Sequence, residues 1–506
     1  MRALQLLTAT GWLWTFALVV LALLGFEIRR HNFEAAGIAL GAGLAVLMWA
    51  CRNGSTPSAE GKSALAQPLW TSACVSGVAL FAYSWSATLG PLSDDFILRA
   101  WAVAGELSPA GWSYLRPLPL LLWQGMSRIG GDWTELHLLN IAGHALNAAL
   151  VARIGVSWNG VTAGLVAGTL FAAFPASAEA VAWTAGVFDV AAAACVLGAV
   201  ALSAQSPLTA GRLGAIAGLT LAGLLCKETA IATPALLFLS FVVSQRAWSV
   251  AHLRHVLLSL AICLSYLLVR ATASPFVASH VGQLPSGRRQ WKDLLVRPFS
   301  GVVVPMRTDE GMPLIAYLAG TLVLVLFAVA LVATMRPARN VAVSRGAVSL
   351  WAGLAWIAIA ASPLLMSFYV APNLEGSRYL YLPAAGYALA LSAAFGMASS
   401  ARARALAAAA IVALLLAFAV RINVERHHWY AAAAVRDAIL REAAGVSQEQ
   451  SCRSLAVLDA PDNVRGVFVF RLGLQEALTS VAVSSGAGPA CVLRWNGHEL
   501  VPVPES

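Results

Sequence analysis

Residues 180–203, AVAWTAGVFDVAAAACVLGAVALS, form an apolar run interrupted by a single charge, Asp189. A helix needs about 20 such residues to cross roughly 30 Å of hydrocarbon, so this stretch predicts a membrane span, and the rest of the chain repeats the pattern. Comparable runs lie near 8–26, 35–51, 69–90, 136–156, 160–176, 212–226, 229–244, 256–271, 313–334, 347–370, 379–397 and 404–421. Composition agrees: hydrophobic residues make up 59% and charged residues 11% of 506, and the mean hydropathy is +0.74. The expectation is an α-helical polytopic membrane protein with about 13 transmembrane helices.

Arginine placement orients the chain, because Lys and Arg close to membrane ends are retained in the cytoplasm. Arg246 to His255, Arg336 to Arg345 and Arg402 to Arg404 alternate as interior loops. That parity places the N-terminus in the cytoplasm. It places the 91–135 loop, the 272–312 loop, residues 371–378 and the tail after 421 on the outer face. Arg29-Arg30 runs against it. The first run lacks a small-x-small cleavage site and reads as a retained helix. The expected organisation is two extra N-terminal helices in 1–68, a membrane core in 69–421, and a small α/β domain in 422–506. Three lysines stand against thirty arginines in an Ala-rich chain. This bias points to a bacterial inner (plasma) membrane, with the tail in the periplasm.

The tail alone has a soluble composition. Glu425 to Ala444 alternates charged and apolar residues at helical spacing, which predicts a surface helix. Leu455–Leu458, Val467–Phe470 and Val492–Trp495 read as short strands between the turns Pro461-Asp462-Asn463 and Gly486-Ala487-Gly488-Pro489. Cys452 and Cys491 both lie here, so an external tail predicts a disulfide between them. Cys51, Cys74, Cys195, Cys226 and Cys263 fall in or beside apolar helices, where a thiol is a small hydrophobe.

Polar groups inside apolar helices cost free energy unless paired or wet. His137, Asn140, His144 and Asn147 share one helix stripe, spaced for interhelical hydrogen bonds, with His137 the member placed to face a cavity. Glu179 and Asp189 follow; arginine pairing and a water-filled cavity are both open readings. Lys227-Glu228 sits between two apolar helices, either as a helix-end ion pair or as an ammonium for a lipid phosphate. Arg288, Arg289, Lys292, Arg297 and Arg307 crowd the 272–312 loop, and Arg378 opens Tyr379-Leu380-Tyr381-Leu382-Pro383. Such external cations call for an anion.

The first long loop carries the adjacent carboxylates Asp94 and Asp95, followed by Tyr114-Leu115-Arg116-Pro117-Leu118. A paired carboxylate just outside the hydrocarbon suits a general base. It also suits a cap for a helix starting at Phe96.

The order Asp94-Asp95, Arg116-Pro117-Leu118, His137-Leu138-Leu139-Asn140 with His144-Ala145-Leu146-Asn147, Phe174-Pro175 with Glu179-Ala180-Val181, Lys227-Glu228 and Arg378-Tyr379-Leu380-Tyr381-Leu382-Pro383 resembles the GT-C membrane glycosyltransferases. It is most similar to the transmembrane O-mannosyltransferases that carry tetratricopeptide repeats, over roughly 90–395. Gly186-Val187-Phe188-Asp189 lacks the arginine of the usual Gly-Arg-Ala-Asp, Ser377 rather than Glu precedes Arg378, and the small tail stands in place of the repeats.

The resemblance implies an inverting transfer of a sugar such as mannose from a polyprenyl-phosphate carrier to a hydroxyl acceptor. Asp94 or Asp95 would be the base, with the first of the pair the usual one in similar enzymes. Arg378, Lys227 and Arg116 would hold the phosphate, and His137, Glu179, Asp189, Glu228 and Tyr381 would support the cavity. A protein acceptor, or lipid A, O-antigen or another glycolipid or polysaccharide, is left open, as is a lipid or sugar transporter without catalysis. Walker, zinc-finger and Gly-rich nucleotide signatures are absent, so a soluble nucleotide-sugar donor and nucleic acid are not expected. No cofactor is required by the sequence, and clustered acids leave a divalent metal open.

Overall fold

A computed structural model describes residues 66–107, 115–205, 208–244, 250–273, 299–309, 314–335, 341–362, 370–398, 400–481 and 489–503. The expected spans at 8–26 and 35–51, Arg29-Arg30, Cys51 and Tyr114 lie outside these residues, as do Arg288, Arg289, Lys292 and Arg297 of the 272–312 loop. All described residues belong to one unit, Glu60–Ser506.

Helix α1 (Ala66–Tyr83) leads into the first loop, which carries α2 (Asp95–Ala104) and α3 (Pro117–Arg128). Helix α4 (Trp133–Asn159) starts at a capping box: Asp132 accepts from the Thr134 amide at 2.6 Å, and Glu135 accepts from the Asp132 amide at 2.8 Å. Then come α5 (Val161–Ala172), the short α6 (Ala178–Ala182), α7 (Val187–Ser203), α8 (Ala210–Cys226), α9 (Thr233–Val243) and α10 (Val250–Ala273). After them follow α11 (Leu314–Met335), α12 (Val341–Ala361), α13 (Tyr381–Gly396) and α14 (Ala401–Gln450). Helices α1, α5 and α7 pack against α4, and α13 packs against α5 and α12.

Five helical stretches are long and apolar enough to cross a membrane: Trp133–Asn159, Thr184–Ser203, Leu253–Ala271, Ser377–Gly396 and Ala401–Gln450. A sixth arises if Val161–Ala172 and Pro175–Ala182, bent by 52°, count as one span. The protein is therefore a multi-pass, mainly helical membrane protein, and the described residues hold fewer full-length spans than the runs suggest. Pro175 breaks one run, and Lys227 separates Ala210–Cys226 from Glu228–Val243, leaving both short. Conversely, the span expected at 404–421 and the surface helix expected at 425–444 are one continuous helix, α14. Neither proline nor glycine occurs between Ala401 and Ala444 to stop it.

Beyond α14 the chain forms β1 (Ser454–Leu458), β2 (Asn463–Val464), β3 (Val467–Phe468), α15 (Leu474–Val481), β4 (Ala490–Trp495) and β5 (Leu500–Pro502). Strand β4 lies between β1, parallel, and β5, antiparallel. The hairpin β2–β3 turns at Arg465 and Gly466, both with positive φ. Cys452 and Cys491 are disulfide-bonded with Cα atoms 5.7 Å apart. Leu89, Phe96 and Trp123 of the first loop, Trp183, and Trp429, Phe468 and Leu493 of the C-terminal part share one apolar core. This shared core positions the site.

Helices α12 and α13 meet backbone to backbone at Gly353 and Gly386. A Cβ at Gly353 would lie 2.7 Å from the Ala390 nitrogen, and one at Gly386 would lie 2.7 Å from the Gly353 carbonyl oxygen. Gly386→Ala is expected to force the pair apart and destabilise the fold by about 1–3 kcal/mol. Thermal melting of the detergent-solubilised protein measures it, and an unchanged melting point would show that the helices can separate freely.

Candidate active site

The two adjacent carboxylates have different surroundings. Asp95 is wholly buried; it accepts from the Leu92 amide at 2.8 Å and the Ala185 amide at 2.7 Å, so it ties the first loop to the turn before α7. Burial, opposed by these bonds and by the Thr184 hydroxyl, pushes its carboxyl up to about 7. Asp94 is partly exposed and accepts the Ser93 hydroxyl at 3.0 Å. The helix begins at Asp95, and Asp94 in the cap position makes no side-chain capping bond. The cap reading therefore does not account for Asp94, and of the pair only Asp94 is accessible to an acceptor.

The Trp183 indole links this loop to Arg378. Its N–H donates to the Leu92 carbonyl at 2.9 Å, and the Arg378 guanidinium carbon lies 4.6 Å from its ring centroid. Arg378 also sits 5.1 Å from the Tyr379 ring, and the Lys227 ammonium lies 4.7 Å from the same ring. Glu179 accepts from the Arg378 amide and guanidinium, both at 3.1 Å, and from Ser377 at 3.2 Å. Lys227, only 4% exposed, bonds Asp189 at 2.5 Å, so it is not a helix-end cation snorkelling to water. Glu228 pairs instead with Arg116 at 2.6 Å and with Arg270 at 2.5 Å. The Arg116 guanidinium lies 5.9 Å from the Phe188 ring, one residue from Asp189.

Among the described residues, four cations thus meet three carboxylates beside Lys227 and Tyr379. Arg116 and Arg378 both lie near enough to Lys227 to repel its ammonium. A cluster so arranged can hold an anion. Among the described residues, no group of three His, Cys, Asp or Glu side chains that could hold a metal ion is assembled.

The polar stripe of α4 does other work. His137 contacts the Gly90 carbonyl at 3.2 Å and is buried against the first loop instead of facing a cavity. Asn140 donates to the carbonyls of Trp183 at 2.7 Å and Thr184 at 3.2 Å. His144 and Asn147 both reach the Tyr381 hydroxyl, at 2.8 and 3.1 Å, which makes Tyr381 a buried brace between α4 and α13. Sequence reasoning missed Arg270, placed inside an apolar helix, as well as Trp183 and Tyr379. It also missed Arg436, which donates to the carbonyls of Leu89 and Pro91, both at 2.7 Å. Isolated arginines in apolar helices are the one signal that could have found Arg270.

No family model matches the chain. It is similar in structure to ArnT from Cupriavidus metallidurans bound to undecaprenyl phosphate, with a TM-score of 0.50 and 13% identity over 84% of this chain and 93% of that one. A weaker likeness, with a TM-score of 0.42 and 12% identity, relates 79% of it to 62% of the Archaeoglobus fulgidus oligosaccharyltransferase tethered to an acceptor peptide. In sequence it is 40% identical over 131 residues to the protein O-mannosyl-transferase Tmtc2 of Drosophila melanogaster, a match covering 23% of this chain and 14% of the relative. At 13% identity, the likeness to ArnT is one of fold.

A buried carboxyl raised to about 7 binds its proton more tightly when folded than at its ordinary value of 3.8. The stability it confers is therefore fully present below about pH 4 and is lost as pH rises toward 7. Melting temperatures of the wild type are expected to contain a component that falls across this window and that Asp95→Asn removes. A variant whose pH profile matches the wild type would refute the assignment.

Proposed function

We propose that this protein is a GT-C glycosyltransferase that moves a sugar from a polyprenyl-phosphate carrier to a hydroxyl acceptor with inversion. The observation that carries the reading is the cation cluster around Tyr379, joined through the Trp183 ring to the loop bearing Asp94. Arg116, Lys227 and Arg378, with Arg270, hold the carrier's phosphate, and Glu179, Asp189 and Glu228 hold those cations in place. Asp94 takes the proton from the acceptor hydroxyl as its oxygen bonds to the anomeric carbon. The bond from that carbon to the phosphate oxygen breaks, and its electron pair leaves with the polyprenyl phosphate. Charge growing on that leaving group is what the cations stabilise. Asp95 holds the loop and does not exchange the proton.

The local likeness to an O-mannosyl-transferase supports mannose as the sugar and a protein hydroxyl as the acceptor. The arginine pattern of the loops supports an N-terminus in the cytoplasm and residues 422–506 on the outer face, where the site would meet its acceptor, and the Ala-rich, Lys-poor composition supports a bacterial inner membrane, which makes that face the periplasm.

Membranes given labelled polyprenyl-phosphate mannose test this reading. Asp94→Asn is expected to lower transfer by ~10²–10⁴, and Lys227→Gln and Arg378→Gln by ~10²–10³ each. Wild-type transfer by Asp94→Asn would end the base assignment. Label recovered in lipid instead of protein would move the acceptor to a glycolipid, and flux of intact carrier without transfer would make the protein a transporter.

A further inference from the structure

Ser93, the residue before Asp94, is buried and has a φ of +49°, a conformation that L side chains other than Asn and Asp rarely adopt. Such an outlier persists only where its surroundings impose it, and it points to function. What imposes it here is the C-terminal part of the chain. The Ser93 amide donates to the Val469 carbonyl at 2.7 Å. The Leu472 amide donates to the Ser93 hydroxyl oxygen at 3.4 Å, and that hydroxyl donates to Asp94 Oδ1 at 3.0 Å. Gly473, at φ +79°, lies so close that an added Cβ would come within 2.7 Å of the Ser93 carbonyl oxygen. The segment is itself anchored. Val469 and Phe470 donate to the carbonyls of Asp462 and Pro461 at 3.0 and 3.3 Å, and the Phe470 ring stacks on Phe96 at 6.5 Å.

We infer that Ser93 is a positioning residue set by the C-terminal segment 469–473. The Leu472 amide orients the Ser93 hydroxyl, and that hydroxyl holds Asp94 by Oδ1. Among the described residues no other donor reaches the Asp94 carboxylate, so Oδ2 is the oxygen left to receive a proton. A base held by one oxygen with the other open keeps a single rotamer toward the acceptor. The C-terminal part is then a component of the site and not an appendage to it. The inference rests on Asp94 being the base.

The test compares Ser93→Gly, Gly473→Ala and Asp94→Asn in the full-length, detergent-solubilised protein, with polyprenyl-phosphate mannose as donor. Glycine at 93 accepts the positive φ and removes the whole hydroxymethyl side chain; alanine at 473 pushes the segment off the loop without touching Asp94. Both are expected to lower kcat roughly tenfold, with the donor KM unchanged. Turnover is normalised to the amount of polyprenyl phosphate bound, so a loss of folded protein does not count. Wild-type kcat in Ser93→Gly alongside an inactive Asp94→Asn would overturn the positioning role alone. A loss that appears entirely in KM would likewise refute it. Wild-type kcat in Asp94→Asn would instead remove the base reading on which the inference stands.

Discussion

A buried carboxylate that makes no ion pair among the described residues ties two parts of this fold together. Asp95 is buried among backbone amides, and its two oxygens bind Leu92 on one side and Ala185 on the other. An unpaired buried charge is costly, and the raised affinity for a proton follows from that cost. What the arrangement achieves is rigidity. The first loop cannot move relative to the turn before α7 without stranding the carboxyl or the amides, and an unsatisfied buried group costs about 1–3 kcal/mol. Trp183, in the same turn, carries Arg378 on its face, so the tie fixes the distance between the candidate base and the candidate phosphate site.

The cations obey a different constraint. Buried ion pairs seldom stabilise a fold, because desolvation cancels much of the attraction, so a cluster of seven charged side chains in so apolar a chain demands another reason. Each carboxylate here accepts from a cation on a different element: Glu179 from Arg378, Asp189 from Lys227, and Glu228 from both Arg116 and Arg270. The acids therefore act as spacers that keep like charges near one another. Arg116 comes from a distant part of the chain to pair with Glu228, and its guanidinium lies 5.9 Å from the Phe188 ring.

Local chemistry was legible in the sequence where a single residue carries it. Helical membrane architecture, Asp94, Lys227 and Arg378 all stand out because charge is rare in this composition, and the Cys452–Cys491 pair because only two cysteines fall in the tail. What was hidden depends on contacts across long separations. Nothing near Lys227-Glu228 says that the two will part, the lysine to Asp189 and the glutamate to two arginines. His137 looks like a cavity residue from its stripe, and only the fold shows Gly90 in front of it. Among the described residues, fewer full-length spans appear than there are apolar runs, for a similar reason. An apolar run reports burial, and a run buried by neighbouring helices reads like one buried by lipid.

The membrane part and the tail are joined without a break in the helix, and the reason is physical. Helix α14 crosses the proposed boundary at 421/422 without a break, and on leaving its apolar half it presents Arg421, Glu425 and Arg436 to the loops. Glu425 binds Arg307 at 3.0 Å, while Arg307 also donates to the Arg465 carbonyl of the β2–β3 turn. Arg436 holds the backbone on either side of Gly90. One rigid helix thus grips the loop that carries the acids and the hairpin that leads into segment 469–473. A soluble composition marks where the chain leaves the hydrocarbon; it does not mark where a cooperative unit ends. In this fold the polar end of α14 and the strands after it bury the same core as the first loop, so the parts flanking Asp94 and Arg378 are set by the last hundred residues as much as by the helices before them.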